Sequence, residues 1–204
     1  YKPKKFIFEK QKKFKKQINN NFLNSTSMYN KQSNEVVIRS KYYSMCKSID
    51  LLNEYEKENN FKYDIILISR MDLLWFNKIN LSEVDPNYFY TSNWNYAFDK
   101  NKGRNLVHNG KALLLDHFFI TNSNDIKTFG KLYSEIDNFI KYVNPHVIIL
   151  EFIYKNKLWD KHKNIYHTFY DHLLLRALFN NCDNVTDEWR NYDSKKQREK
   201  LLDV

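Results

Sequence analysis

The chain has 204 residues, 42% of them hydrophobic and 17% aromatic, with a formal charge of +9. That hydrophobic content excludes a disordered polyelectrolyte, and the length suits one domain with a sizeable core. No apolar run approaches the roughly 20 residues of a membrane span, and no signal peptide is visible.

Glycine excludes two nucleotide-binding devices. Gly103, Gly110 and Gly130 are the only three, and they form neither a P-loop nor a dinucleotide fingerprint. Any nucleotide must be held another way. The positive charge gathers in "YKPKKFIFEKQKKFKKQ" and "KKQREK", where a solvated face explains it as readily as a polyanionic partner. Cys46 and Cys182 lie far apart without a Cys-x-x-Cys companion, which excludes a zinc framework or disulfide scaffold and points to a reducing, cytoplasmic setting.

In chain order, Lys5 to Glu9 reads as a short strand, followed by an irregular polar stretch to about Ser33. From Asn34 to Asn60, Ile38, Tyr42, Met45, Ile49, Leu52 and Tyr55 recur every three or four residues, the pattern of an amphipathic helix. Tyr63 to Ser69 is a continuous apolar run too short for a helix and reads as a buried strand of a parallel sheet. It ends on Ser69-Arg70-Met71-Asp72, two charges where burial should be greatest. "NYFYTSN" (87 to 93) reads as a strand, and Trp94 to Gly110 as a long loop carrying Trp94, Tyr96 and Phe98. "LLLDHFFITNS" (113 to 123) is a strand with Asp116 and His117 in its middle. Asn122 or Ser123 caps a helix in which Ile126, Phe129, Tyr133, Ile136, Ile140 and Val143 share a face. Asn144-Pro145 starts another helix, running to about Lys157. "NIYHTFYDHLLLRALF" fits strand or helix. The division is one α/β domain over residues 1–181 and a polar tail over 182–204.

Ligands of open α/β sheets bind beyond the carboxyl ends of the strands, where Ser69, Arg70 and Asp72 lie. A carboxylate there can hold a divalent cation that bridges to a diphosphate, and an arginine can fork onto phosphate oxygens. The same two residues serve equally as an ion pair that closes the strand.

The succession of a helix, "YDIILISRMDLLWF", a strand, a loop, "LLLDHFFITNSNDIKTFGKLYSEI" and "NPHVIILEFIY", over roughly residues 34 to 155, resembles a group of GT-A-type glycosyltransferases. These are encoded in bacterial surface-polysaccharide clusters and in some large DNA viruses, so a viral member would act in the host cytoplasm. The resemblance implies a GT-A-like, mostly parallel sheet flanked by helices, and an Arg-x-Asp motif in place of the family's DxD. It implies Arg70 and Asp72 as donor-binding residues, and Asp72 and His167 as ligands of Mn²⁺ or Mg²⁺. Asp116 is then the general base, His117 orients it or the acceptor, and Glu151 loosely matches a further acid. The implied partners are a nucleotide-sugar donor and a glycan acceptor, with no specific nucleic acid and at most a peripheral membrane contact. A GT-A domain opens with a βαβ unit that cups the nucleoside. Here one strand precedes the long helix, which implies a first strand and helix carried on a longer parent chain or lost in a shortened relative. Two other classes stand beside this one. They are a non-catalytic module that binds a glycan or partner through Trp94, Tyr96 and Phe98, and a basic nucleic-acid-binding protein.

Overall fold

The periodic segment after residue 34 folds as α1 (Glu35–Glu58), burying Ile38, Tyr42, Cys46 and Ile49 along one stripe. Its end is set by Asn60, which adopts φ 52°, while the Phe61 N–H reaches the Glu56 carbonyl at 3.1 Å and the Asn60 N–H that of Lys57 at 3.4 Å. This left-handed cap satisfies the last carbonyls of the helix and turns the chain toward the sheet. In the computed structural model the described residues are 3–10, 12–14, 35–93, 107–108, 111–140, 144–167 and 171–174.

The strands that follow are β1 (Ile66–Ser69), β2 (Leu73–Trp75), β3 (Phe89–Asn93), β4 (Val107–His108), β5 (Lys111–Ala112), β6 (Leu115–Thr121), β7 (His162–His167) and β8 (His172–Leu174). The helices α2 (Ser123–Phe129) and α3 (Pro145–Lys155) fall between β6 and β7. Four strands make the main sheet in the order β1-β6-β3-β7, while β2 pairs with β8 and β4 with β5. Apolar side chains of α1, α2 and α3, among them Tyr42, Ile49, Phe129 and Phe152, pack with Phe119 and Phe89 in one core cluster. Phe118, Ile120, Tyr90 and Val84 form a second, against Trp75, Ile165 and Tyr166.

Four expectations need correction. The sheet is mixed, not mostly parallel: β6 runs antiparallel to both β1 and β3, and only β3 and β7 are parallel. An apolar run covered on both faces looks the same in either direction, so the periodicity could not decide. Second, β1 is an edge strand, with Ile66 buried but Leu67 37% exposed. Third, residues 5–9 form no strand; they lie against α1, where Lys5 meets Glu54 and Glu58, and Glu9 meets Tyr43. Fourth, the helix after Asn122 stops at Phe129, and turns and a 3₁₀ segment (Ile136–Asn138) carry Leu132, Ile136 and Phe139 into the core. The segment 94–106 and the tail from 175 lie outside the described residues, and so do Trp94, Tyr96 and Phe98.

Candidate functional site

The strands β1, β3 and β7 all point the same way, because β6 opposes both β1 and β3 while β7 parallels β3. Their carboxyl ends therefore share one edge, and β6 begins there. Arg70 follows directly on β1, and its N–H continues the ladder to the His117 carbonyl at 3.1 Å. The two charged motifs, far apart in sequence, thus meet on one strand pairing.

At that edge Arg70 holds Asp72 in a two-point fork, Nε to Oδ1 at 2.7 Å and Nη2 to Oδ2 at 2.6 Å. Their side chains are 22% and 38% exposed. Fork geometry of this kind is the strongest arrangement open to an arginine and a carboxylate, so Asp72 faces Arg70.

Asp116 is placed differently. It is buried, with Oδ2 in an ion pair with Lys41 from α1 and Oδ1 3.8 Å from Nδ1 of His146. His146 stands in the first turn of α3, where Nδ1 lies 2.9 Å from the Leu114 carbonyl. Burial, with the nearby positive charge of Lys41, pushes the His146 imidazole down to about 4. The Asn144 side chain caps α3 by accepting from the His146 and Val147 amides, and a helix N-terminus oriented this way favours a neighbouring anion.

His117 is buried against His172, which in turn meets Ser92. Its Nδ1 lies 3.1 Å from Nε2 of His172, and that same nitrogen lies 2.9 Å from the Ser92 hydroxyl. Burial, reinforced by His172, Arg70, His146 and Lys41, pushes His117 down to about 2, so it stays neutral at any physiological pH.

Alternation alone sends Asp116 and His117 to opposite faces, but a register jump is needed to bring His117 and Phe118 to the same one. Thr91 pairs with Phe119 but Ser92 with Leu115, so one step along β3 faces several residues of β6. Strict alternation would put Asp116 on the same face as Phe118. Instead Asp116 meets Lys41 and His146 of the helices, whose core also holds Phe119, while His117 and Phe118 both contact the His172 ring, each with centroids 5.3 Å apart. Bulges commonly re-aim side chains beside functional sites.

The other expected residues fare unequally. Glu151 is half-buried on α3, five residues beyond His146 and so about 140° round the helix from it. It does not share the His146 face. His167 closes β7 opposite Asn93, at the same edge, but its side chain is outside what is described. Lys41, His146 and His172 were not anticipated. For His172 a signal existed: "YDHLLL" repeats the Asp-His pair of "LLLDHFF" beside a run of leucines.

Among the described residues, no group of three or more His, Cys, Asp or Glu is arranged to hold a metal ion. A single partly exposed carboxylate, Asp72, does not suit zinc, which takes three or four protein ligands. It does suit Mg²⁺ or Mn²⁺, hard ions that complete their shell with phosphate oxygens and water. Among the described residues no helix is long and apolar enough to cross a membrane. No family model matches the chain, and neither a curated protein nor a solved structure is significantly similar to it.

Proposed function

We propose that the chain is a GT-A-like glycosyltransferase, moving a sugar from a nucleotide-sugar donor to a glycan hydroxyl at the shared edge of β1, β3 and β7. The observation that carries this reading is the meeting of Arg70 and Asp72 with Asp116 and His117 through the Arg70 bond to the His117 carbonyl. It sets an arginine and two aspartates on one strand pairing, at the end of a sheet where ligands of α/β domains bind.

Arg70 would receive the donor diphosphate through the fork that now holds Asp72. Asp72 would hold Mn²⁺ or Mg²⁺; His167, the second ligand that the family resemblance implies, ends β7 at the opposite side of the sheet from β1, so this reading rests on Asp72. The chemistry such an ion would supply, when bound, is neutralisation of charge on the departing diphosphate. Asp116 Oδ1 takes the proton of the acceptor hydroxyl while Lys41 holds Oδ2, and the acceptor oxygen displaces the diphosphate at the anomeric carbon. A single displacement of this kind inverts that carbon. His117, neutral and fixed by His172, orients this stretch of β6 and takes no part in proton transfer. Glu151 is given no step.

A second reading, a non-catalytic module that binds a glycan or partner, is favoured by one observation: each acid at the edge is already ion-paired, Asp72 with Arg70 and Asp116 with Lys41. Release of nucleoside diphosphate from a panel of nucleotide sugars, with Mn²⁺ and oligosaccharide acceptors, separates the two. The enzyme turns over at least one donor, and Asp116→Asn cuts turnover by about 10²–10⁴-fold with donor binding retained. Binding without turnover on any donor favours the module.

A further inference from the structure

The segment 3–14 plays no part in the edge described above, yet it is built onto the fold. Lys5 pairs with Glu54 at 2.9 Å and Glu58 at 2.7 Å, and the Tyr43 hydroxyl donates to Glu9 at 2.6 Å. Phe14 packs edge-on to Tyr43 and Tyr133, and the Lys12 ammonium lies 4.2 Å from the Tyr43 ring centre. These contacts seat the segment along α1. Lys5 is half-buried against α1 and the Glu9 carboxylate reaches Tyr43, whereas Lys4, Phe6, Ile7, Phe8 and Lys10 are exposed. Phe6 is 67% and Phe8 91% exposed, far more than an apolar side chain held only by its own fold. Their rings meet each other edge-on, with centroids 5.4 Å apart.

We infer that this strap docks the protein on an anionic lipid surface, with Phe6 and Phe8 entering the interface and Lys4, Lys10 and Lys13 resting on the headgroups. Aromatic rings favour the boundary between headgroups and acyl chains, and lysine stems lie along it while their ammoniums stay in water. Each lysine near a negatively charged leaflet strengthens binding about fivefold. Acidic neighbours offset only part of the charge: Lys4, Lys5, Lys10, Lys12 and Lys13 stand against Glu9, Glu54 and Glu58 and leave a positive balance. The edge-on rings do not offer the parallel flat faces on which successive bases stack, which disfavours single-stranded nucleic acid as the occupant. Two such straps would repel through their lysines, which disfavours a second copy.

Co-sedimentation of the full chain with vesicles tests this, comparing phosphatidylcholine alone with phosphatidylcholine carrying about one-third phosphatidylglycerol. The expected result is binding to the anionic vesicles only, weakened by added salt. Lys4→Gln with Lys10→Gln should lower the partition coefficient by about 25-fold. Phe6→Ser with Phe8→Ser should lower it by at least about tenfold at unchanged charge, with the far-ultraviolet dichroism of the wild type. The inference is overturned by failure to bind anionic vesicles, or by binding that Phe6→Ser with Phe8→Ser leaves unchanged. It is equally overturned if a single-stranded RNA of mixed sequence competes the protein off the vesicles and both double variants weaken its RNA affinity.

Discussion

Asp72 and Asp116 are both carboxylates beside a cation, but their settings differ. Asp72 is partly exposed and held by a guanidinium through two parallel bonds, whereas Asp116 is buried beneath Lys41 and His146. The fork is what makes Arg70 hard to replace: a lysine keeps the charge but offers a point donor in place of a planar pair. Arg70→Lys should therefore weaken nucleoside diphosphate binding by about tenfold with the fold intact, measured by titration calorimetry. At this scale the sequence was half legible. The Arg-x-Asp and Asp-His pairs could be seen as chemistry-bearing residues at strand ends. Their partners could not, because Lys41 lies on the polar flank of a helix and His146 at a helix start, positions whose periodicity marks solvent. Only the fold brings them to Asp116.

Among the elements, α1 and α3 were the most legible because their periodicity and caps are local, whereas the periodicity after Asn122 continued past the end of α2 at Phe129. Asn144-Pro145 marked the start of α3, and its side chain accepts from the His146 and Val147 amides. Asn144→Ala should cost about 1 kcal/mol in urea unfolding, the usual worth of such a cap. Gly130 ends α2 for a packing reason. A Cβ there would lie 2.9 Å from Cγ2 of Ile49, a fully buried, branched side chain with little room to move. Gly130→Ala should destabilise the protein by about 1–3 kcal/mol, the range for overpacked cores, in the same unfolding measurement. The strand β6 was legible as a strand and not as a bulged one. Its residues Leu115 to Thr121 are all buried, so no alternation of apolar and polar residues revealed the register jump opposite Thr91 and Ser92. That jump brings His117 and Phe118 to the same His172 ring, so this part of the edge rests on the least legible feature of the chain.

Across the whole molecule, strand direction was the main surprise. Pairing between distant segments decides it, and an apolar run carries no sign of whether its neighbour runs with it or against it. The carboxyl ends of β1, β3 and β7 nevertheless lie at one end of the mixed sheet. Buried histidines add a further whole-molecule property. Burial lowers His117 to about 2, and His146 and His162 each to about 4, against an ordinary value of 6.5. Below pH 6.5 the unfolded chain takes up protons that the folded chain refuses, so stability is fully present above that pH and falls as pH drops toward the folded values. Each group contributes a loss of at most about 1.4 kcal/mol per pH unit in that window. Melting temperature should accordingly hold level near neutrality and decline on acidification below about pH 6.

The central claim, that the edge carrying Arg70 and Asp72 binds a nucleotide diphosphate with a hard cation, is tested most directly by thermal shift. Nucleoside diphosphates are screened with and without Mn²⁺ against the wild type and Asp72→Ala, since a ligand that binds only the native state raises its stability. The account predicts a Mn²⁺-dependent rise in melting temperature for at least one nucleotide, lost in Asp72→Ala although that variant still unfolds cooperatively. A Mn²⁺-dependent rise that persists in Asp72→Ala, or no rise with any nucleotide in the wild type, would contradict it.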